Sequence, residues 1–182
     1  MPYLQELNDY LFQHVPLFRA MQARLERCDA AGLALAAPLA PNDNDKGTAF
    51  GGSMAAIAAL TGWAITTITL RDHGETAEIV IIDSTLKFLR PVRETIVAEC
   101  VLPDAATVET FIERYRQRGK ARWTVDVVVR ADGEPAMTFK GHYGVFRPES
   151  TYWGRPKSSG FPGRTRAKIA AEAHDYARGG LP

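Results

Sequence analysis

Apolar residues return at helical spacing from the start of the chain: Leu4, Leu7, Leu11, Val15 and Phe18. They predict a first helix over 4–19, which Pro16 should end or kink. Residues 21–28 and 32–39 read as a hairpin around Ala30-Ala31-Gly32, and the turn-rich PNDNDKGTAFGG then reads as a loop. From about Gly51 to Leu70 runs a long apolar helix, closed by Arg71-Asp72-His73-Gly74. Residues 77–90 and 94–102 read as strands. Ile79-Val80-Ile81-Ile82 is apolar on both faces, which predicts that the first of these strands is central in its sheet. Asp104 is placed to cap a short helix whose Val108, Phe111, Ile112 and Tyr115 share a face, with Gly119 ending it. Residues 120–130 alternate cleanly, Asp132-Gly133 marks a hairpin turn, and 134–146 return with Met137, Phe139, Tyr143 and Val145 on one face.

The order is therefore helix, hairpin, loop, long apolar helix, then four strands with a helix inserted midway. A single apolar helix among antiparallel strands buries its faces only if the sheet curls around it, which predicts an α+β domain over 1–147. From 148 to 182 the sequence turns basic and rich in Pro and Gly, with a short Ala-rich helix over Lys168–Arg178. This is expected to be a solubilising tail, dispensable for folding.

No charge falls between Lys46 and Arg71, a length that could cross a bilayer. Its glycines and threonines dilute the hydrophobicity, however, and it stands alone amid sheet-like sequence. A buried helix is expected, and no membrane partner. The N-terminus lacks the basic start and apolar run of a signal peptide. The formal net charge of +1 argues against a general nucleic-acid binder. Cys28 and Cys100 form no ligand cluster and read as free buried thiols of a reducing, cytoplasmic setting. His14, His73, His142 and His174 are scattered, so neither a metal site nor a cofactor is expected.

Residues 42–53 fail as a calcium loop, because Lys46 and Ser53 stand at ligand positions, and as a phosphate loop, because the GK[ST] ending is missing. A physical property of the helix start survives these exclusions. Gly51-Gly52-Ser53 open a long helix whose first amides lack helical partners and carry the positive end of its dipole. Glycine lets a ligand approach that backbone closely, so the start suits an anion or a developing oxyanion. Tight packing of Gly51 and Gly52 is the competing explanation.

The run Asn42, Asn44, Gly47, Thr48, Phe50, Gly51, Gly52, Ser53, followed by Gly62-Trp63-Ala64, resembles the hotdog thioesterases. It is most similar to the thioesterase domain found alone or fused behind a bacterial acetyltransferase. APLAPN (37–42), IIDSTLKFLRPV (81–92) and His14-Val15-Pro16-Leu17 extend the resemblance over about 4–146. The resemblance implies a hotdog fold, a homodimer or dimer of dimers with active sites at the subunit interface, and an acyl-CoA or acyl-carrier-protein substrate. It also implies that Gly51 and Gly52 polarise the carbonyl and that Asn44 orients water or substrate. Thr48, Phe50 and Ser53 would then line the substrate site.

One departure matters. Many relatives have HGG where this chain has Phe50-Gly51-Gly52, and a carboxylate about two turns into the helix. Here that region reads Ala58-Ala59-Leu60-Thr61. A base must come from elsewhere, and Asp83, an acid inside an apolar strand, is the candidate. Burial there would raise its pKa and suit general-base work; a structural, hydrogen-bonded carboxylate is the alternative. Lys87, Arg90 and Arg93 are candidates for CoA phosphates. Two other functions remain open: a non-enzymatic acyl-CoA sensor, and a hotdog dehydratase or hydratase, which usually needs a His with a carboxylate.

Overall fold

The computed structural model describes residues 2–29 and 31–148; apart from Pro148, the tail expected over 148–182 lies outside them. Helix α1 (Pro2–His14) gives way to α2 (Pro16–Ala20) at the proline. Strands β1 (Arg24–Asp29) and β2 (Gly32–Ala37) form the hairpin, and a short 3-10 turn, Ala40–Asn42, leads into the loop before α3 (Gly51–Asp72). Then come β3 (Glu78–Phe88), β4 (Ile96–Cys100), α4 (Ala105–Arg118), β5 (Lys120–Ala131) and β6 (Glu134–Phe146). All six strands join one antiparallel sheet in the order β1-β2-β4-β5-β6-β3. The sheet wraps α3, giving the expected α+β hotdog arrangement.

Helix α3 is the one described element long and apolar enough to cross a membrane, yet 67% of its apolar window is buried inside the fold. Its threonines are accommodated by bonding backwards along the helix: Thr61 to Ile57 O, Thr66 to Gly62 O, Thr67 to Trp63 O and Thr69 to Ile65 O. Thr66 Oγ1 also accepts from the buried Trp123 indole at 2.9 Å. Arg71, itself buried, pairs with Glu6 of α1 at 3.0 Å and pins the far end of α3. Cys28 and Cys100 are free thiols, and burial pushes Cys100 up to about 12, which leaves it unreactive.

The sheet meets α3 closely at Gly62. A Cβ built there would lie 2.2 Å from the Tyr143 hydroxyl, which donates to Ala59 O at 2.8 Å from a side chain only 1% exposed. Gly62→Ala would gain about 1 kcal/mol of helix propensity. Overpacking costs about 1–3 kcal/mol, and displacing the buried hydroxyl costs about another 1–3 kcal/mol. Net destabilisation is therefore expected, read as a lower urea midpoint at unchanged m-value.

One strand lies elsewhere than expected. β3 pairs only with β6 and forms the edge of the sheet, not its centre. Ile81 and Ile82 are 44% and 43% exposed. The apolar run has two apolar faces, but the chain itself covers only part of them.

Candidate functional site

The loop before α3 is built around two asparagines. Asn42 is buried, and its amide donates to Met21 O and Pro38 O at 2.9 and 2.8 Å. Its backbone carbonyl accepts from Phe50 N at 2.7 Å, and Ala49 N donates to Val92 O at 2.8 Å. These bonds fix the chain entering the helix. The Asn44 amide donates to Thr48 Oγ1 at 2.9 Å, and Asn44 Oδ1 accepts from Lys46 N at 2.9 Å and Thr48 N at 3.3 Å. Thus the side chains of Asn44 and buried Thr48 are committed to holding their own loop.

Phe50 is extended and caps α3 without a side-chain hydrogen bond. Among the described residues, the amides of Gly51, Gly52 and Ser53 have no hydrogen-bond partner. They form the open, positive end of a helix of 22 residues. Two aromatic rings stand beside them. A Cβ on Gly51 would lie 3.2 Å from the Phe88 ring, and one on Gly52 would lie 2.3 Å from the Phe50 ring. Both rings are more than half exposed, as is Leu89 next to them. The glycines thus leave polar amides accessible beside an apolar mouth, an arrangement chemically suited to a hydrogen-bond acceptor carried on an apolar group. Sequence reasoning picked out Phe50, Gly51, Gly52 and Ser53 but missed Phe88. No local pattern pointed to Phe88, because it closes on Gly51 from another element.

Asp83 is placed differently from expectation. Its side chain is 67% exposed, so the desolvation on which its selection rested is absent in the single protomer. A bulge in the β3–β6 pairing explains the position. Ile81 opposes Tyr143 and Asp83 opposes His142, leaving Ile82 as the extra residue. The bulge turns Asp83 onto the outer face of the sheet. There Asp83 Oδ1 lies 3.6 Å from His142 Nε2, and His142 Nδ1 lies 2.8 Å from Thr124 Oγ1. His142, which sequence reasoning left among scattered histidines, is brought to Asp83 by register alone. Asp83, His142 and Thr124 share a recess of about 290 Å³ with Ile82, Arg122 and Trp123.

Asp83 does not sit beside the start of its own α3. Phe88 lies five strand steps farther along, about 17 Å at the strand rise. Lys87 and Arg90 are exposed near the Phe88 end of β3, and neither has an ion pair among the described residues. No group of three His, Cys, Asp or Glu among the described residues could hold a metal ion.

Against known proteins, a family model described as "Putative thioesterase (yiiD_Cterm)" matches residues 4–147. Among solved structures, a protein of unknown function from Chlorobaculum tepidum is 28% identical over 80% of this chain and 94% of its own, with a TM-score of 0.78. A "putative thioesterase" from Shewanella oneidensis is also 28% identical, over 79% of this chain and 96% of its own, with a TM-score of 0.72. A Pseudomonas aeruginosa protein described as a "Probable Thioesterase" shares the fold at 23% identity and a TM-score of 0.67, over 78% of this chain and 95% of its own.

Proposed function

Because the chain belongs to the thioesterase family whose model spans residues 4–147, we propose that it hydrolyses an acyl thioester, carried on CoA or on an acyl carrier protein, at a site completed by a second copy. The observation that carries this reading is the helix start: unpartnered Gly51, Gly52 and Ser53 amides beneath the exposed Phe50 and Phe88 rings. The acyl chain lies against the rings. The thioester oxygen sits at the amides, which stabilise the negative charge that develops as water attacks.

The base is Asp83, and it acts on the helix start of the partner. Edge strand β3 presents unpaired backbone groups and the exposed Ile81, Ile82 and Phe88 side chains, a surface that calls for a covering strand. Two identical edges related by a two-fold axis pair antiparallel. A pairing centred between Thr85 and Leu86 sets Asp83 opposite the Phe88 position of the second copy, near that copy's Gly51. The same pairing covers the exposed carboxylate and supplies the desolvation that the protomer lacks. His142 stands behind Asp83, and Thr124 bonds to the far nitrogen of that ring. Asp83 takes the proton of the attacking water and passes it to the sulfur as the C–S bond breaks, so the thiol leaves and the carboxylic acid is released.

A panel of acyl-CoAs with a free-thiol readout tests the reading: turnover is expected, and saturable binding without turnover would favour a sensor. The absence of any carboxylate in α3 before Asp72 keeps that second reading in play. Gly52→Ala separates the roles within the mouth. A methyl at 52 forces the Phe50 ring aside. Because that ring is exposed, the melting temperature should hardly move. kcat/KM should fall about tenfold to 100-fold through misplacement of the thioester. Unchanged kinetics would remove the helix start from the mechanism.

A further inference from the structure

At the far end of β5 from the hairpin turn, Arg114 and Arg118 of α4 and Lys120 and Arg122 of β5 line a groove of about 520 Å³, together with Ala121 and Phe146. All four cations are exposed, and none of their side chains makes a hydrogen bond or ion pair among the described residues. This is unlike their neighbours. Arg116, between them on α4, pairs with Glu75 at 2.7 Å, and Arg130, farther along β5, pairs with Glu99 at 3.0 Å. The one acid in register, Glu78, stands across Phe146 from Lys120, two strands away. Four like charges gathered in one recess repel one another, and the concave walls focus their field. Guanidinium forks match phosphate oxygens, and the volume is that of a nucleotide-sized ligand.

We propose that this groove binds the phosphates of a nucleotide-bearing thiol carrier, so that the thioester substrate is nucleotide-borne. The inference rests on the thioester reading. Arg122 links the two sites, because it lines both the groove and the recess that holds Asp83 and His142. A carrier anchored by its phosphates at α4 runs along the outer face of the sheet toward Asp83. An acidic carrier protein would use cations spread over a flat face, whereas these converge in a hollow.

The test uses the full chain and the double variant Arg114→Gln/Arg118→Gln, whose exposed positions leave the melting temperature unchanged. For an acyl-CoA the variant should raise KM about tenfold or more, as expected for losing charge-assisted bonds to phosphate, with kcat within about twofold. For the same acyl group on pantetheine, which lacks the nucleotide, KM should not move. Adenosine 3′,5′-bisphosphate titrated calorimetrically should bind the wild type saturably, more weakly at high salt, and bind the variant about tenfold more weakly. Failure of the bisphosphate to bind would overturn the proposal. So would an equal loss on the pantetheine substrate, or a loss confined to acyl carrier protein. A wild type that binds the bisphosphate yet hydrolyses no thioester would retain the groove and refute the thioester reading alone.

Discussion

Asp83→Asn is expected to lower kcat for acyl-CoA hydrolysis by about 100-fold or more, with melting temperature and acyl-CoA affinity nearly unchanged. Asparagine keeps the shape and can still lie beside His142, but it cannot take a proton from water. Because Asp83 is exposed in the protomer and its contact to His142 is a long one, 3.6 Å, little stability is at stake. An exposed pair of this kind contributes about 0–1 kcal/mol. Measuring kcat and thermal melting on the same preparation separates the two roles. A large fall in melting temperature with unchanged activity per folded molecule would make Asp83 a structural residue. In that case Asp43 and Asp45, both exposed in the loop before α3, become the acids to test.

The second large effect is expected from Ile81→Lys. Ile81 is 44% exposed on the free edge of the sheet, where a lysine costs the protomer little but opposes strand pairing. Wild type should scatter light at twice the 20.0 kDa mass of one chain or at a higher even multiple, and the variant at the single-chain mass. Because the base and the helix start are assigned to different copies, the monomeric variant should also be inactive. Mixing makes the assignment sharper. Asp83→Asn and Gly52→Ala subunits, each impaired alone, should regain activity when co-refolded, since one of the two sites in a mixed dimer then has both groups intact. A wild type that stays monomeric at micromolar concentration, or mixed dimers without recovery, would refute the shared site.

The parts of this fold that were readable from sequence are those decided by local chemistry. Asp104 accepts from Thr107 N at 2.9 Å, and Gly119 ends α4 in the left-handed region at φ 67°, as the cap and stop residues implied. The break at Pro16 and the alternation of β5 are of the same kind. The position of β3 was not readable. An apolar run with two apolar faces states that both must be covered, but not whether its own chain or a second one covers them. The exposure of Asp83 followed from the same ambiguity, compounded by a bulge at Ile82 that breaks the two-residue period. His142 reaches Asp83 only through the pairing of β3 with β6, a register that no local pattern encodes. The glycines at the helix start were legible because their spacing is local, whereas Phe88, which closes on Gly51 from another element, was not.

The burial of α3 also has a consequence during synthesis. Its threonine hydroxyls are satisfied locally, by carbonyls four residues back, and do not wait for the sheet. Its covering arrives late: Trp123, which bonds to Thr66, is 57 residues downstream, and Tyr143, which bonds to Ala59, is 84 residues downstream. At roughly 5–20 residues per second of translation, a helix apolar enough to be taken for a membrane segment waits for seconds without β5 and β6. Completion of the core is therefore expected to wait for β6, and in that interval α3 is the segment most open to a chaperone or to aggregation.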